Sequence, residues 1–128
     1  MSNNITDLFD SDPGLQYSEG DLVGICNDGV VRPMPYSSVV SYIGVVDSIE
    51  PDNKVSVILV GKKDCYVKTN TRDVMNLIGK KVIASKSENY FTIWDSTFDI
   101  DKKYDGIIIG NIYETARLGV VKATVLLK

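Results

Sequence analysis

Strand, turn and strand follow one another in the stretch Gly20-Asp-Leu-Val-Gly-Ile-Cys-Asn-Asp-Gly-Val-Val-Arg-Pro33. Residues 22–26 form an apolar run of strand length, and the apolar pattern resumes at Val30 after Asn-Asp-Gly. These three residue types tolerate the positive φ angles that tight hairpin turns require. Pro33 ends the second strand, because proline has no backbone N–H to donate to a sheet. The stretch therefore predicts a β-hairpin.

The same plan returns in the second half of the chain. A second hairpin is predicted over residues 80–93, after Gly79. Each hairpin is followed by an apolar segment that contains a glycine, and then by an alternating strand: residues 42–47 and 54–60 in the first half, 108–113 and 122–128 in the second. Two copies are too few for a solenoid. We predict an all-β fold, a small β-barrel or sandwich of two pseudo-repeated halves.

One segment favours a helix. Thr71 can cap its start and Gly79 can end it. The apolar residues between them have helical spacing: Val74, Leu77 and Ile78. We predict one short helix over residues 71–78.

Two further glycines carry predictions. Gly61 opens the sequence Gly-Lys-Lys-Asp, which we interpret as a turn between strand 54–60 and a short strand at residues 65–68. Gly44 lies inside a strand pattern, which predicts a bulge or a close approach of another backbone.

Length and composition limit the class of protein that this chain can be. The 128 residues are 44% apolar and 24% charged, which is typical of one globular domain. No apolar run reaches the ~20 residues of a membrane helix. The first residues, Met-Ser-Asn-Asn-Ile-Thr-Asp, contain no basic segment and no hydrophobic core, so we expect no secretory signal and synthesis in a cytoplasm.

The residues that usually carry catalysis are scarce. The sequence has no histidine, which removes the commonest general base and every Ser-His or Cys-His pair. It has no glycine-rich phosphate-binding motif. Cys26 and Cys65 show no metal-binding spacing, and buried thiols are favoured over a disulfide. We predict that the protein is not an enzyme and has no cofactor.

The net charge of −3 is unevenly divided. Residues 1–61 hold nine acidic and two basic residues, which is −7, and residues 62–128 hold eight acidic and twelve basic residues, which is +4. A folded surface with mixed signs is the simpler interpretation, and a dipolar surface that matches a charged lattice is the alternative.

Lysines near aromatic residues raise the question of nucleic-acid binding. Lys62, Lys63 and Lys68 lie near Tyr66, and such mixtures bind single strands by stacking and charge. The acidic pI of about 4.8 and the interleaved acids argue against it. We expect no direct nucleic-acid binding.

The acidic segment 95–105 is the one candidate metal site. Asp99 and Asp101 could supply hard oxygen ligands to calcium. The segment lacks the ligand order of an EF-hand, and its lysines compete for the carboxylates. We interpret it as a solvated loop without a metal. Aromatic residues flank it. Core packing is the simpler interpretation of Trp94, and an interface anchor is the alternative, in which Tyr90, Trp94 and Tyr104 are the candidate surface patch for a partner.

Residues 1–19 show neither helical nor alternating periodicity that lasts. We predict that they form an extended N-terminal arm, followed by a β-domain over residues 20–128. Disorder of this arm and docking on a neighbour are both open. Its apolar residues, which would make the contacts in the docked case, are Ile5, Leu8 and Phe9.

The motif order resembles that of bacteriophage capsid decoration (auxiliary head) proteins. The resemblance rests on residues 20–23 (Gly-Asp-Leu-Val), 29–33 (Gly-Val-Val-Arg-Pro), 43–46 (Ile-Gly-Val-Val) and the alternating strand at 120–125. It covers residues 20–60 and, more loosely, 79–128.

The resemblance implies a viral structural protein on the capsid surface of the virion. Such proteins bind the outside of the head, commonly as trimers, and clamp major capsid subunits against the pressure of packaged DNA. The partner would then be the major capsid protein, and the arm would reach into the lattice. The alternative is a β-barrel adaptor or receptor-binding module of a phage tail or fibre.

Overall fold

Nine β-strands pair in one sheet within residues 4–34, 36–69, 76–85, 88–117 and 119–128, which are the residues that the computed structural model describes. The strands are β1 (Ile5–Ser11), β2 (Leu22–Cys26), β3 (Val30–Pro33), β4 (Val39–Glu50), β5 (Lys54–Lys68), β6 (Lys81–Ala84), β7 (Phe91–Ile93), β8 (Gly106–Glu114) and β9 (Val120–Leu127). The predicted all-β fold is therefore confirmed.

The pairings form two cycles that share β5. In the first cycle β1 pairs with β3, β3 with β2, β2 with β4, β4 with β5, and β5 with β1. In the second cycle β5 pairs with β7, β7 with β6, β6 with β8, β8 with β9, and β9 with β5. Strand directions also correspond, because β1–β3 and β5–β7 are the two parallel pairs. The predicted duplication is thus present in the topology.

Each cycle is a partial ring. The parallel pair of the first cycle has two residue pairs, Asp10 with Val30 and Ser11 with Val31. The parallel pair of the second cycle also has two, Val67 with Phe91 and Lys68 with Thr92. The longest ladder of either cycle is the antiparallel pairing of β5 with β9, which has eight residue pairs.

The prediction of a turn at residues 61–64 is wrong. β5 runs without a break for 15 residues, and Gly61 lies in its middle. A Cβ at Gly61 would lie 2.1 Å from Oδ1 of Asn4, and that oxygen accepts a hydrogen bond from the Lys62 N–H. Glycine is needed here because Asn4 approaches the strand and because the backbone has a φ of 142°, not because the chain turns.

The predicted N-terminal arm contains β1. This strand is antiparallel to β5 along residues 5–10 and parallel to β3 at its end. The backbone groups of a strand must find partners, and β5 and β3 supply them. Residues 5–11 therefore lie within the first cycle and do not project from the β-domain.

Two apolar clusters fill the fold. The smaller one contains only residues of the first cycle: Val23, Val31, Val46, Val55 and Val57. The larger one joins both cycles, since it contains Leu22, Val45 and Ile58 together with Phe91 and Val125. Because side chains alternate along a strand, neighbours such as Leu22 and Val23 enter different clusters.

The turns follow the residue chemistry that the sequence predicted. The β4–β5 turn has positive φ angles at Asp52 (64°) and Asn53 (56°). These residue types tolerate that conformation. The β2–β3 turn has Gly29 at a φ of 80°. Both predicted hairpins are present.

The predicted helix lies mostly outside the described residues, because residues 71–75 are not among them. In the described part of the chain, no helix has the length and apolar character that crossing a membrane requires.

Gly44 of β4 lies where β5 comes close to the strand. A Cβ at this position would lie 2.2 Å from the carbonyl oxygen of Ile58 and 2.8 Å from Cγ1 of Val57. The β2–β4 register also shifts beside it, between Val23 and Gly24. The predicted close approach is confirmed.

We predict that Gly44→Ala lowers the free energy of unfolding by about 1–3 kcal/mol, because β4 and β5 must separate to admit the methyl group. Gly14→Ala is the matched control, since its Cβ would meet only the flexible side chain of Asp12, at 3.3 Å. The control should stay within about 0.5 kcal/mol of the parent protein. Urea unfolding measures both, and equal losses in the two variants would contradict the prediction.

Candidate binding surface

The three apolar residues predicted for the arm have different environments. Ile5 and Leu8 are exposed, at 59% and 58% of their surface. Phe9 is partly buried and packs against the smaller apolar cluster. Phe9 is the ladder partner of Val55, a residue of that cluster. Ile5 and Leu8 are available to a partner, and Phe9 holds β1 on the first cycle.

Two of the three residues of the predicted aromatic patch share a cation. The Lys81 ammonium lies 5.3 Å from the ring centre of Trp94 and 4.8 Å from that of Tyr104. Lys128 donates a hydrogen bond to the Tyr104 hydroxyl at 2.7 Å. This hydrogen bond, together with the positive charges of Lys128 and Lys81, lowers the pKa of Tyr104.

Tyr90, the third predicted residue, has a different neighbour. Its ring lies 5.1 Å from the Arg117 guanidinium, in the β8–β9 connection. Tyr90 and Trp94 lie at opposite ends of the three-residue strand β7, about 13 Å apart along the chain at 3.3 Å per residue. The structure therefore brings Trp94 and Tyr104 together and gives Tyr90 a separate contact.

Hydrogen bonds hold the acidic loop between β7 and β8 in one turn conformation. The Asp99 carboxylate accepts a hydrogen bond from the Asp95 N–H at 2.9 Å, and the Asp95 carboxylate accepts one from the Thr97 N–H at 2.7 Å. Trp94 Nε1 donates to the Lys102 carbonyl at 3.1 Å. The carboxylates thus bind the loop's own backbone. Within the described residues, no three metal-ligating side chains are grouped so that they could hold an ion.

This loop presents two large apolar side chains to solvent. Phe98 is 81% exposed and Ile100 is 71% exposed, the two highest values among the large apolar residues described. We refer to these two side chains as the apolar tip. Sequence reasoning missed them because they are single apolar residues in a polar segment, a pattern with no periodicity. Their isolation between aspartates was the available signal.

A cleft of about 620 Å³ lies beside the apolar tip. One wall comes from β4 and the segment before it, and the other comes from β6, β7 and the acidic loop. The lining is mostly apolar and hydroxyl-bearing, and includes Met34, Tyr36, Val39, Val40, Ile83 and Thr92. Asp99 and Lys102 of the acidic loop also line it. The sequence did not predict this cleft, because its walls come from segments that are about 50 residues apart in the chain.

Asp105 and Tyr42 are the titratable groups of the cleft that burial affects. Burial raises the pKa of the Asp105 carboxyl, although its oxygen accepts a hydrogen bond from the Ala84 N–H at 2.8 Å. Burial also raises the pKa of Tyr42, and the nearby Asp105 charge adds to the effect. The Asp105 carboxylate accepts the hydrogen bond that a neighbouring strand would otherwise accept from the end of β6, so it stabilises that end of the strand.

A second exposed surface covers the outer side of β5, β8 and β9. Lys122 lies 5.8 Å from the ring centre of Tyr66 and is the ladder partner of Tyr113. Next to them, Thr124 donates a hydrogen bond to Asp64 at 2.6 Å. Tyr113 on the same surface is 58% exposed.

Both cysteines are buried and free. Burial raises the pKa of the Cys65 thiol to about 12, so this thiol is protonated at neutral pH. The expectation of two buried thiols in place of a disulfide is confirmed.

The charges of the two halves meet across the fold. Lys63 of the second half lies 2.9 Å from Glu19 and 3.6 Å from Asp47 of the first half. The hydrogen bond from Lys63 lowers the pKa of Glu19. Some of the opposite charges of the two halves therefore pair within the molecule. The Lys63–Glu19 pair contributes little to stability because Glu19 is largely exposed.

We predict that Asp105→Asn stabilises the protein at neutral pH by at most about 1 kcal/mol, since the partly exposed charge is screened by water. The folded-state pKa of Asp105 is raised above 3.8, so its ionisation disfavours folding above that raised pKa. The advantage of the variant should shrink as the pH falls through the raised pKa, because the parent carboxyl then becomes protonated. The asparagine oxygen can still accept from Ala84.

Urea unfolding at several pH values tests this difference. Asp101→Asn removes the same charge from an exposed position of the same loop and is the matched control. The same pH-dependent advantage in both variants would show that burial of Asp105 is not its cause.

Comparison with known proteins connects this fold to a bacteriophage. No protein family and no curated protein sequence matches the chain. The fold is similar to part of the crystal structure of the pre-mature bacteriophage phi29 gene product 12, with a TM-score of 0.66 and 14% sequence identity. The similarity covers the whole of this chain and 22% of that chain. At this identity the similarity is one of fold, and the fold of this chain is thus one that a bacteriophage protein also has.

Proposed function

We propose that this chain is a structural protein of a bacteriophage particle that acts by binding another virion protein. The observation that carries the proposal is the likeness of fold, over the whole chain, to a part of phi29 gene product 12. The exposed apolar residues on β1 and in the acidic loop are consistent with a binding role, because surfaces of this kind commonly mark protein interaction sites.

In its specific form, the proposal is that the chain binds the outside of the phage head and clamps major capsid subunits. The motif order of residues 20–60 supports this form. Ile5 and Leu8 supply exposed apolar contacts on the first cycle. A homo-oligomer, for which we expect a trimer, would present several weak contacts at once and so raise the effective concentration of each.

A second candidate is an adaptor or receptor-binding module of a phage tail or fibre. The observation that favours it is the 22% coverage of phi29 gene product 12, since there the fold occurs as part of a longer phage chain. The Trp94–Lys81–Tyr104 group and the apolar tip would then contact a tail protein or a receptor.

Co-sedimentation with separated particle parts tests these proposals. The labelled protein is mixed with purified phage heads, with purified tails and with intact host cells. The head proposal expects binding to heads and increased resistance of the heads to heat. Binding to tails or host cells alone would support the second candidate, and binding to none of them would contradict both.

We predict that Leu8→Asp weakens head binding at least about tenfold, because burying a leucine is worth roughly 1.5–3 kcal/mol and an aspartate cannot replace it. Point substitutions are preferable to deletion of the segment, which would remove β1 and its ladders. Thr6→Asp is the matched control, since it places the same charge at another exposed position of β1. Equal losses in the two variants would indicate a general effect of charge, and no loss in Leu8→Asp would remove this residue from the contact.

A further inference from the structure

The apolar tip and the cleft beside it belong to one surface of the molecule. The acidic loop carries Phe98 and Ile100 outward, and the same loop contributes Asp99 and Lys102 to the cleft. A protrusion and a hollow of matching chemistry therefore lie next to each other. A surface that contains both can complement a copy of itself.

The tip is held in position before any partner arrives. Its turn is closed by hydrogen bonds from the Phe98 and Asp99 N–H groups to the Asp95 carbonyl, at 3.1 and 2.7 Å. The Lys102 N–H donates to the Asp99 carbonyl at 2.8 Å. Because these bonds already fix the backbone, little conformational entropy remains to be lost when Phe98 is buried.

The cleft has the size and the walls to receive the tip. Its volume of about 620 Å³ exceeds what two side chains fill. Val40 on its rim is 57% exposed and Tyr36 is 43% exposed, so apolar surface lines the opening. A phenylalanine inserted there would replace water against Val40 and Ile83.

The charges beside the tip are self-complementary. Asp101 and Lys103 are both exposed and flank Lys102 in the chain. Within the described part of the chain, neither takes part in a salt bridge. Two copies that face each other at this loop can set the Asp101 carboxylate of one against the Lys103 ammonium of the other. This charge complementarity favours a second copy as the occupant of the cleft.

We propose that the cleft binds the apolar tip of a second copy of this chain. The inference rests on the proposed function and names a surface through which two copies pair when they act together on a particle. This pairing is a contact distinct from those that would form the expected trimer. The tip and the cleft are smaller than the roughly 800 Å² per partner of a stable interface. The association is therefore weak and depends on concentration, and it strengthens when copies are held side by side on a lattice.

Sedimentation equilibrium over a wide concentration range measures the association of the purified chain. Phe98→Asp and Val40→Asp should each weaken it at least about tenfold, because each replaces a buried apolar contact with a charge. Ile49→Asp is the matched control, because Ile49 is an equally exposed apolar residue (54%) that is not part of the tip or the cleft. The three side chains are exposed, so the unfolding transitions of the variants should stay close to that of the parent.

Mixing the two disruptive variants gives the sharper test. A Val40→Asp chain still has an intact tip, and a Phe98→Asp chain still has an intact cleft, so the mixture should associate more than either variant alone. When Phe98→Cys and Val40→Cys chains are mixed with oxidised glutathione as the oxidant, a disulfide should link one chain to the other, since the native thiols are buried.

The outcomes separate this inference from the proposed function. A parent chain that stays monomeric at every concentration, or an oligomer that Phe98→Asp leaves unchanged, would overturn the contact between copies. Binding to phage heads or tails in that case would leave the proposed function standing. Self-association through the tip without binding to heads, tails or host cells would support the contact between copies and contradict the proposed function.

Discussion

The shared strand β5 is the constraint on which the rest of the structure depends. Its first half pairs with β1 and β4, and its second half pairs with β7 and β9. Each half therefore has a partner on both edges and belongs to a different cycle. A break at Gly61 would leave two small rings with no common strand. The continuity of one backbone through 15 residues is what makes the two halves a single body.

Burial on both faces of the strands follows from this arrangement. Where the two cycles pack together, the outer face of the first becomes part of the larger apolar cluster. Tyr42 and Phe91, one from each cycle, meet edge to face with ring centres 5.9 Å apart. Asn89 adds a polar connection, since it donates to the Asp21 carboxylate at 3.1 Å and accepts from the Leu22 N–H at 3.0 Å. The two halves are held together by packing and by hydrogen bonds, in addition to β5.

The sequence was sufficient for the features that depend on neighbouring residues. The two hairpins, the glycine at position 44 and the duplication could be predicted, because turn chemistry and alternation are local. The continuity of β5 could not, since a Gly-Lys-Lys-Asp sequence in a turn and the same sequence on an exposed strand face look alike. The reason for Gly61 lies in Asn4, which is 57 residues away. The sequence did not predict β1 for a related reason. Its residues show no apolar alternation, and it forms a strand because it pairs with β3 and β5, which are distant in the chain.

The binding surface was harder to predict than the fold, for a physical reason. Trp94 and Tyr104 lie near each other because they flank one loop and share the Lys81 ammonium. Lys81, which lies against both rings, comes from a different strand. The cleft lies between β4 and β6, which come from different cycles and meet only where the two cycles pack together. A fold made of two similar halves has one such junction, where the halves meet. Neither half contains this junction by itself. The cleft at this junction therefore could not be predicted by comparing the two halves of the sequence.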